Sequence, residues 1–138
     1  MEIDSQFLTA AAFRFEAARG VRHSDFETVI IAEAELDTIA PDDLARTLWN
    51  WLAADGANSS LRSSAYWALG KRSDSRDLAP LVAALRCELP RDADVVYQIL
   101  IALENLGEPV FPREQRERSS RDHAFNRAAA ERYLASRA

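Results

Sequence analysis

Apolar residues recur along this chain at the three- and four-residue spacing of helices, interrupted by polar punctuation. Residues 4–19 set Phe7, Leu8, Ala11, Ala12, Phe15 and Ala18 on one stripe, and Gly20 ends it. Residues 24–36 open with two capping residues, Ser24 and Asp25, and gather Phe26, Val29 and Ile30 as a predicted buried face. Pro41 suits a first helical position, with Asp42 and Asp43 at the positive end of the dipole. The helix it starts is predicted to run to about Ala54 and to turn Leu44, Leu48, Trp51 and Leu52 toward a core. A loop at "DGANSS" precedes helices predicted at about 59–72, 75–88 and 92–106. The two prolines of "GEPVFP" break the pattern, and residues 109–118 read as a connector. "SSRD" reads as a capping box opening a terminal helix at 119–137, with Phe125, Ala129 and Tyr133 inward.

The sixth of these seven segments, "VVYQILIALENLGE" from Val95, is apolar almost all the way round. It aligns at an offset of 34 residues with "LRSSAYWALGKRSD" from Leu61. Leu61 falls on Val95, Ala65 on Ile99, Ala68-Leu69 on Ala102-Leu103 and Asp74 on Glu108. The preceding helices agree at the same offset, with Asp43-Leu44-Ala45 on Asp77-Leu78-Ala79 and Leu48 on Val82. This is a repeated helical hairpin, and the middle helix of a stack of hairpins needs apolar residues on several sides. The predicted fold is all-α: a short α-solenoid of antiparallel hairpins forming one domain over residues 1–138.

Composition agrees with an all-helical protein. Of 138 residues, 48% are apolar and 28% charged, and Gly is scarce. "MEIDSQ" is acidic where a secretory signal is basic, and the lone Cys87 permits no internal disulfide. No apolar run approaches the length of a membrane span. A cytoplasmic protein is therefore expected, with no membrane association. The net charge of −5 is uneven: residues 1–56 carry −7, residues 57–108 carry −1 and residues 109–138 carry +3. An acidic balance opposes nucleic-acid binding and suits a basic protein partner, although the same charge also serves solubility.

The residues "LRSSAYWALGKRSDSRDLAPLVAAL" resemble the HEAT-repeat family in its short bacterial, phycobilin-lyase-like form. Leu61, Arg62, Ala65, Ala68, Leu69, Gly70, Asp74, Leu78, Leu81 and Leu85 carry the likeness, which is best over residues 41–108. The second copy departs from the pattern, with Val96 where Arg is usual and Ile99 where Ala is usual. A 34-residue period also fits tetratricopeptide repeats, but Trp67-Ala68-Leu69-Gly70 is one residue short of that signature. The chain is further similar to small bacterial HEAT-like proteins of polymorphic toxin and contact-dependent inhibition systems. That likeness implies an immunity protein, one that binds a rival cell's toxin domain and blocks it. The alternatives are a general HEAT-repeat scaffold and a lyase-like or DNA-repair-like helical-repeat protein.

No catalytic constellation appears. His23 and His123 each stand near a helix start and read as surface caps, and no paired His or Cys spacing suggests a metal. No phosphate loop or nucleophile signature is present, so no cofactor is expected. Cys87 reads as a packing residue. The connector "PREQRERSSR" is rich in Arg, but Glu114 and Glu117 dilute it. Candidates for partner contact are the acids Glu33, Glu35, Asp37 and Glu104 and the apolar residues Tyr66, Trp67, Tyr97 and Ile101. Carboxylates among apolar neighbours suit a partner's Arg, or else snorkel to solvent or cap a neighbour. Trp and Tyr anchor interfaces but equally fill inter-repeat cores.

Overall fold

A computed structural model describes residues 2–54, 58–111 and 122–137. Among them the chain forms α1 (Ser5–Ala18), α2 (Asp25–Glu33), α3 (Pro41–Ala54), α4 (Ser59–Arg72), α5 (Leu78–Glu88), α6 (Ala93–Asn105) and α7 (His123–Ser136). A 3-10 turn, Ser75–Asp77, leads into α5, and the described residues contain no strand. The predicted all-α class holds. The helices gather into two compact units, Met1–Arg72 and Ser73–Ala138.

In the first unit α1 packs most broadly on α4, and also on α2 and α3. Ala10, Ala11 and Ala12 are fully buried on it, beside Phe7, Leu8 and Phe15. Leu44 and Leu48 of α3 and Ala65, Ala68 and Leu69 of α4 complete that interior. Ala18, expected on the inner stripe, is exposed in the last turn of α1. Trp51 and Leu52 are half-buried. Asp4 caps α1, its Oδ1 accepting the Phe7 N–H at 2.8 Å.

In the second unit α6 lies against both α5 and α7. Two neighbours account for a helix apolar on most sides: Val95, Val96, Ile99, Leu100, Ala102 and Leu103 are all buried. On α7, Asn126, Ala129, Ala130 and Tyr133 are buried, while Phe125 is half-buried and stacks on Phe111 at 6.3 Å between ring centroids. Of the expected "SSRD" box, residues 119–121 lie outside the described residues. Asp122 does cap α7, its Oδ1 accepting the Phe125 N–H at 2.9 Å. Residues 112–118 of the connector and 55–57 of the first loop likewise lie outside them. The predicted 59–72 helix is α4, so Ser59 and Ser60 of "DGANSS" open it rather than extending the loop.

The 34-residue repeat extends into backbone detail. The segments Pro41–Ala54 and Ser75–Glu88 begin and end in register. Asn58 Oδ1 accepts the Leu61 N–H, and Asp92 Oδ1 accepts the Val95 N–H one period later. Arg62, Ala65, Tyr66, Ala68 and Leu69 are buried on α4, and their counterparts Val96, Ile99, Leu100, Ala102 and Leu103 are buried on α6. Position 62 thus takes Arg in one copy and Val in the other at the same depth, with Arg62 only 7% exposed. Ser73 and Gly107, also one period apart, both adopt positive φ. The first helices differ more. α3 buries Leu44, Ala45 and Leu48, whereas α5 buries Leu81, Val82, Leu85 and Glu88. The 3-10 turn ahead of α5, tighter at about 3.0 residues per turn, rotates the helix that follows.

The expected 24–36 helix is corrected at both its end and its face. α2 stops at Glu33, because Leu36 N–H bonds Ile31 O and Glu35 N–H bonds Ala32 O, a Schellman closure. Glu35 takes the left-handed position with φ +61°, where Gly is usual. The same closure ends α1 at Gly20 and α6 at Gly107. The closure drives Leu36 into the core, where it is fully buried. On α2 itself Ile31 is buried, and Phe26 and Val29 face outward at 72% and 50% exposure. The predicted inner stripe is therefore the outer one, with Ile30 half-buried between the two faces.

Candidate functional site

The sequence-derived candidates fall on both units. Glu33, Glu35 and Asp37 cluster where α2 ends, and all three are exposed. Glu35 and Asp37 point outward because Leu36 between them is buried. Arg14 of α1 fixes this turn by donating from Nε to Leu36 O and from an Nη to Ile39 O, both at 3.0 Å. These bonds reach 22 and 25 residues along the chain, so spacing gave no hint of them. A cleft of about 430 Å³ opens between the start of α1 and the end of α2. Phe7 and Ile30 provide its apolar part, and Glu2, Asp4 and Glu33 provide its carboxylates.

A second cleft, of about 380 Å³, lies on the other side of α2 between Arg14, Val21, His23, Thr28, Ile31 and Asp37. His23, expected as a surface cap, is tucked in, its side chain only 7% exposed and its ring 5.6 Å from that of Phe13. Its Nδ1 lies 2.8 Å from Glu27 Oε2. Glu27 is also the N3 residue of the capping box that Ser24 opens. Its Oε1 accepts from the Ser24 N–H, and Ser24 Oγ accepts from the Glu27 N–H. The His23 contact first, and the Ser24 backbone and hydroxyl next, hold the Glu27 carboxyl below its ordinary 4.5.

A depressed carboxyl pKa stabilises the fold above the unfolded value and loses that contribution as pH falls through the folded value. Acidification below about 4.5 should therefore loosen the start of α2. Glu27→Gln should remove this part of the acid dependence, read as flatter amide-exchange protection of residues 25–31 between neutral and acid pH. An unchanged profile in Glu27→Gln would assign the effect to another group.

Tyr66 and Trp67 sit side by side on α4 with different surroundings. Tyr66 is 6% exposed and meets Trp49 edge-on, ring centroids 6.1 Å apart. Trp67 is half-buried, with the Lys71 ammonium 5.9 Å from its ring centroid. The same ammonium stands 3.9 Å from a Glu16 carboxylate oxygen. On α6, Tyr97, Ile101 and Glu104 line up along one strip and are half-buried.

One fixed polar group in the second unit holds α7 rather than facing a partner. Tyr133 donates its hydroxyl to Glu108 Oε1 at 2.6 Å, and Arg137 donates to the same oxygen at 2.8 Å. Burial first, then the Glu108 hydrogen bond, push the Tyr133 hydroxyl up to about 12. A raised phenol pKa stabilises the fold below the unfolded value near 10 and loses that contribution as pH climbs toward 12. Tyr133→Phe should cost about 1.5–3 kcal/mol, the range for a hydrogen bond to a charged group. Urea unfolding of the variant checks this, and a loss below about 0.5 kcal/mol would make the bond incidental.

The residues that sequence reasoning missed are Phe26 and Val29 as surface groups. With Val21 they are the large apolar side chains left exposed among the described residues. A signal was present: Glu33 continues their stripe one turn on, and an acid there marks the stripe as solvent-facing. Among the described residues no three His, Cys, Asp or Glu side chains gather closely enough to hold a metal ion. No helix among them is long and apolar enough to cross a membrane. Comparison with family models, with curated proteins and with solved structures finds no match to this chain.

Proposed function

We propose that this protein is a non-enzymatic protein-binding module of HEAT-like helical hairpins acting in the cytoplasm, and most concretely an immunity protein that neutralises a basic toxin domain. The observation that carries the reading is the exposed acidic cluster Glu33, Glu35 and Asp37 beside outward-facing Phe26 and Val29. Apolar anchors ringed by charge of one sign suit a partner of opposite sign, with the anchors giving affinity and the rim giving rate and selectivity. The first unit reinforces this, with eleven acids against seven Lys and Arg. The hairpin repeat and the likeness to toxin-system proteins support the narrower reading. A toxin that cleaves nucleic acid carries a basic cleft, which an acidic surface fits.

The test is rescue. The C-terminal segment of the protein encoded immediately upstream is expressed in a bacterial host with and without this chain. Growth arrest that this chain relieves, with a stable complex of the two on co-purification, supports immunity. A harmless neighbour, or one that kills regardless, removes the immunity reading and leaves a general scaffold as the better account.

A further inference from the structure

We propose that the outer face of α2 is the docking surface itself, and that it takes a basic amphipathic helix of the partner. This rests on the protein-binding reading and specifies its surface and its ligand. Phe26, Val29 and Glu33 stand three and four residues apart on α2, so they form one line along the helix. Phe26 and Val29 are exposed although α2 keeps its place without them. Ile31 is buried, the Ser24–Glu27 box fixes one end, and the Schellman closure with buried Leu36 fixes the other. An exposed aromatic that the fold does not require is the kind of side chain that anchors an interface.

Charge selects the occupant. Residues 21–37 hold five acids against Arg22 alone. Where the line ends, the cleft beside Ile30 brings Glu33 together with Glu2 and Asp4, which lie just ahead of α1. The carbonyl end of α2 adds negative partial charge at the same point, which favours a cation. Asp4 offsets the opposite dipole at the start of α1 by accepting the Phe7 N–H. A partner helix with apolar residues on one side covers Phe26 and Val29, and a Lys or Arg one or two turns on enters the cleft. A second copy of this chain would bring the same acids against these, and an anionic membrane surface would be repelled in the same way.

The experiment titrates the isotopically labelled full chain with a synthetic amphipathic helix of Leu and Lys, followed by NMR. A Leu and Glu peptide of the same pattern is the charge control. Saturable amide shifts over residues 25–34 with the Lys peptide alone are expected. Phe26→Ser combined with Val29→Ser should weaken that binding about tenfold or more while leaving thermal unfolding unchanged, since both side chains are exposed. Shifts confined to other helices, equal binding of the Glu peptide, or unchanged affinity in the double variant would overturn the proposal. So would a wild-type dimer in sedimentation that the double variant dissolves, which would give the face to a second copy. The rescue assay separates the two levels. If the wild type and the double variant protect equally, α2 is not the contact while the binding reading stands. If the wild type fails to protect, that reading falls whatever the peptide does.

Discussion

Reversing Glu33, Glu35 and Asp37 to Lys together weakens binding of a basic partner by about 100-fold, or roughly 2.7 kcal/mol, at low salt. The three side chains are exposed and change the local charge by six units in all, which raises the barrier to encounter more than it alters packing. Most of the loss therefore appears in the association rate, and it shrinks as added salt shortens the screening length. The fold survives the change for a specific reason. Arg14 holds this turn through the carbonyls of Leu36 and Ile39, not through a carboxylate, and Glu35 already occupies its left-handed position as a residue with a Cβ. Stopped-flow association at two salt concentrations is the direct measurement. Equal rates for wild type and triple variant would remove the electrostatic part of the function while leaving the apolar anchors in play.

Phe15→Ala costs about 3–5 kcal/mol and Phe26→Ala costs less than about 0.5 kcal/mol, although both residues lie on stripes that periodicity marks as inward. Phe15 is fully buried on α1, the helix that contacts the three others of its unit. Removing its ring leaves a cavity lined by residues that cannot all collapse into it. Phe26 already spends most of its surface in water, so truncation loses little burial and gains the better helix propensity of Ala. Urea unfolding of the two variants checks the contrast. A large loss in Phe26→Ala would mean that α2 turns its other face to the core, and would undo both the assigned surface and the proposed docking line.

The helices were legible because their signals are local. The cap at Ser24, the "SSRD" signal ending in Asp122 and the stop at Gly20 act within a few residues of themselves, as do the caps at Asp4 and Asp92 and the stop at Gly107 that the structure adds. The hairpin repeat was legible because the buried positions of α4 and α6 share one period. The α2 stop was not, because Glu35 adopts at a helix end the conformation that composition assigns to Gly. Of the candidate site, the exposed acids were read from charge and position. Tyr66 was named with Trp67 as a surface candidate and lies in the interior against Trp49.

Sequence alone determined the all-helical class, the order of the seven helices and the acidic bias of the first part of the chain. It did so because helix periodicity, capping and net charge are properties of neighbours in the chain. Tertiary structure decided which face of α2 is buried. A helix of nine residues carrying Phe26, Val29, Ile30 and Ile31 has two apolar sides, and only the position of α1 selects between them. It likewise decided that Arg14 fastens the acidic turn and that Tyr133 and Arg137 converge on Glu108, since those partners lie 22 to 29 residues apart and meet only when the helices pack.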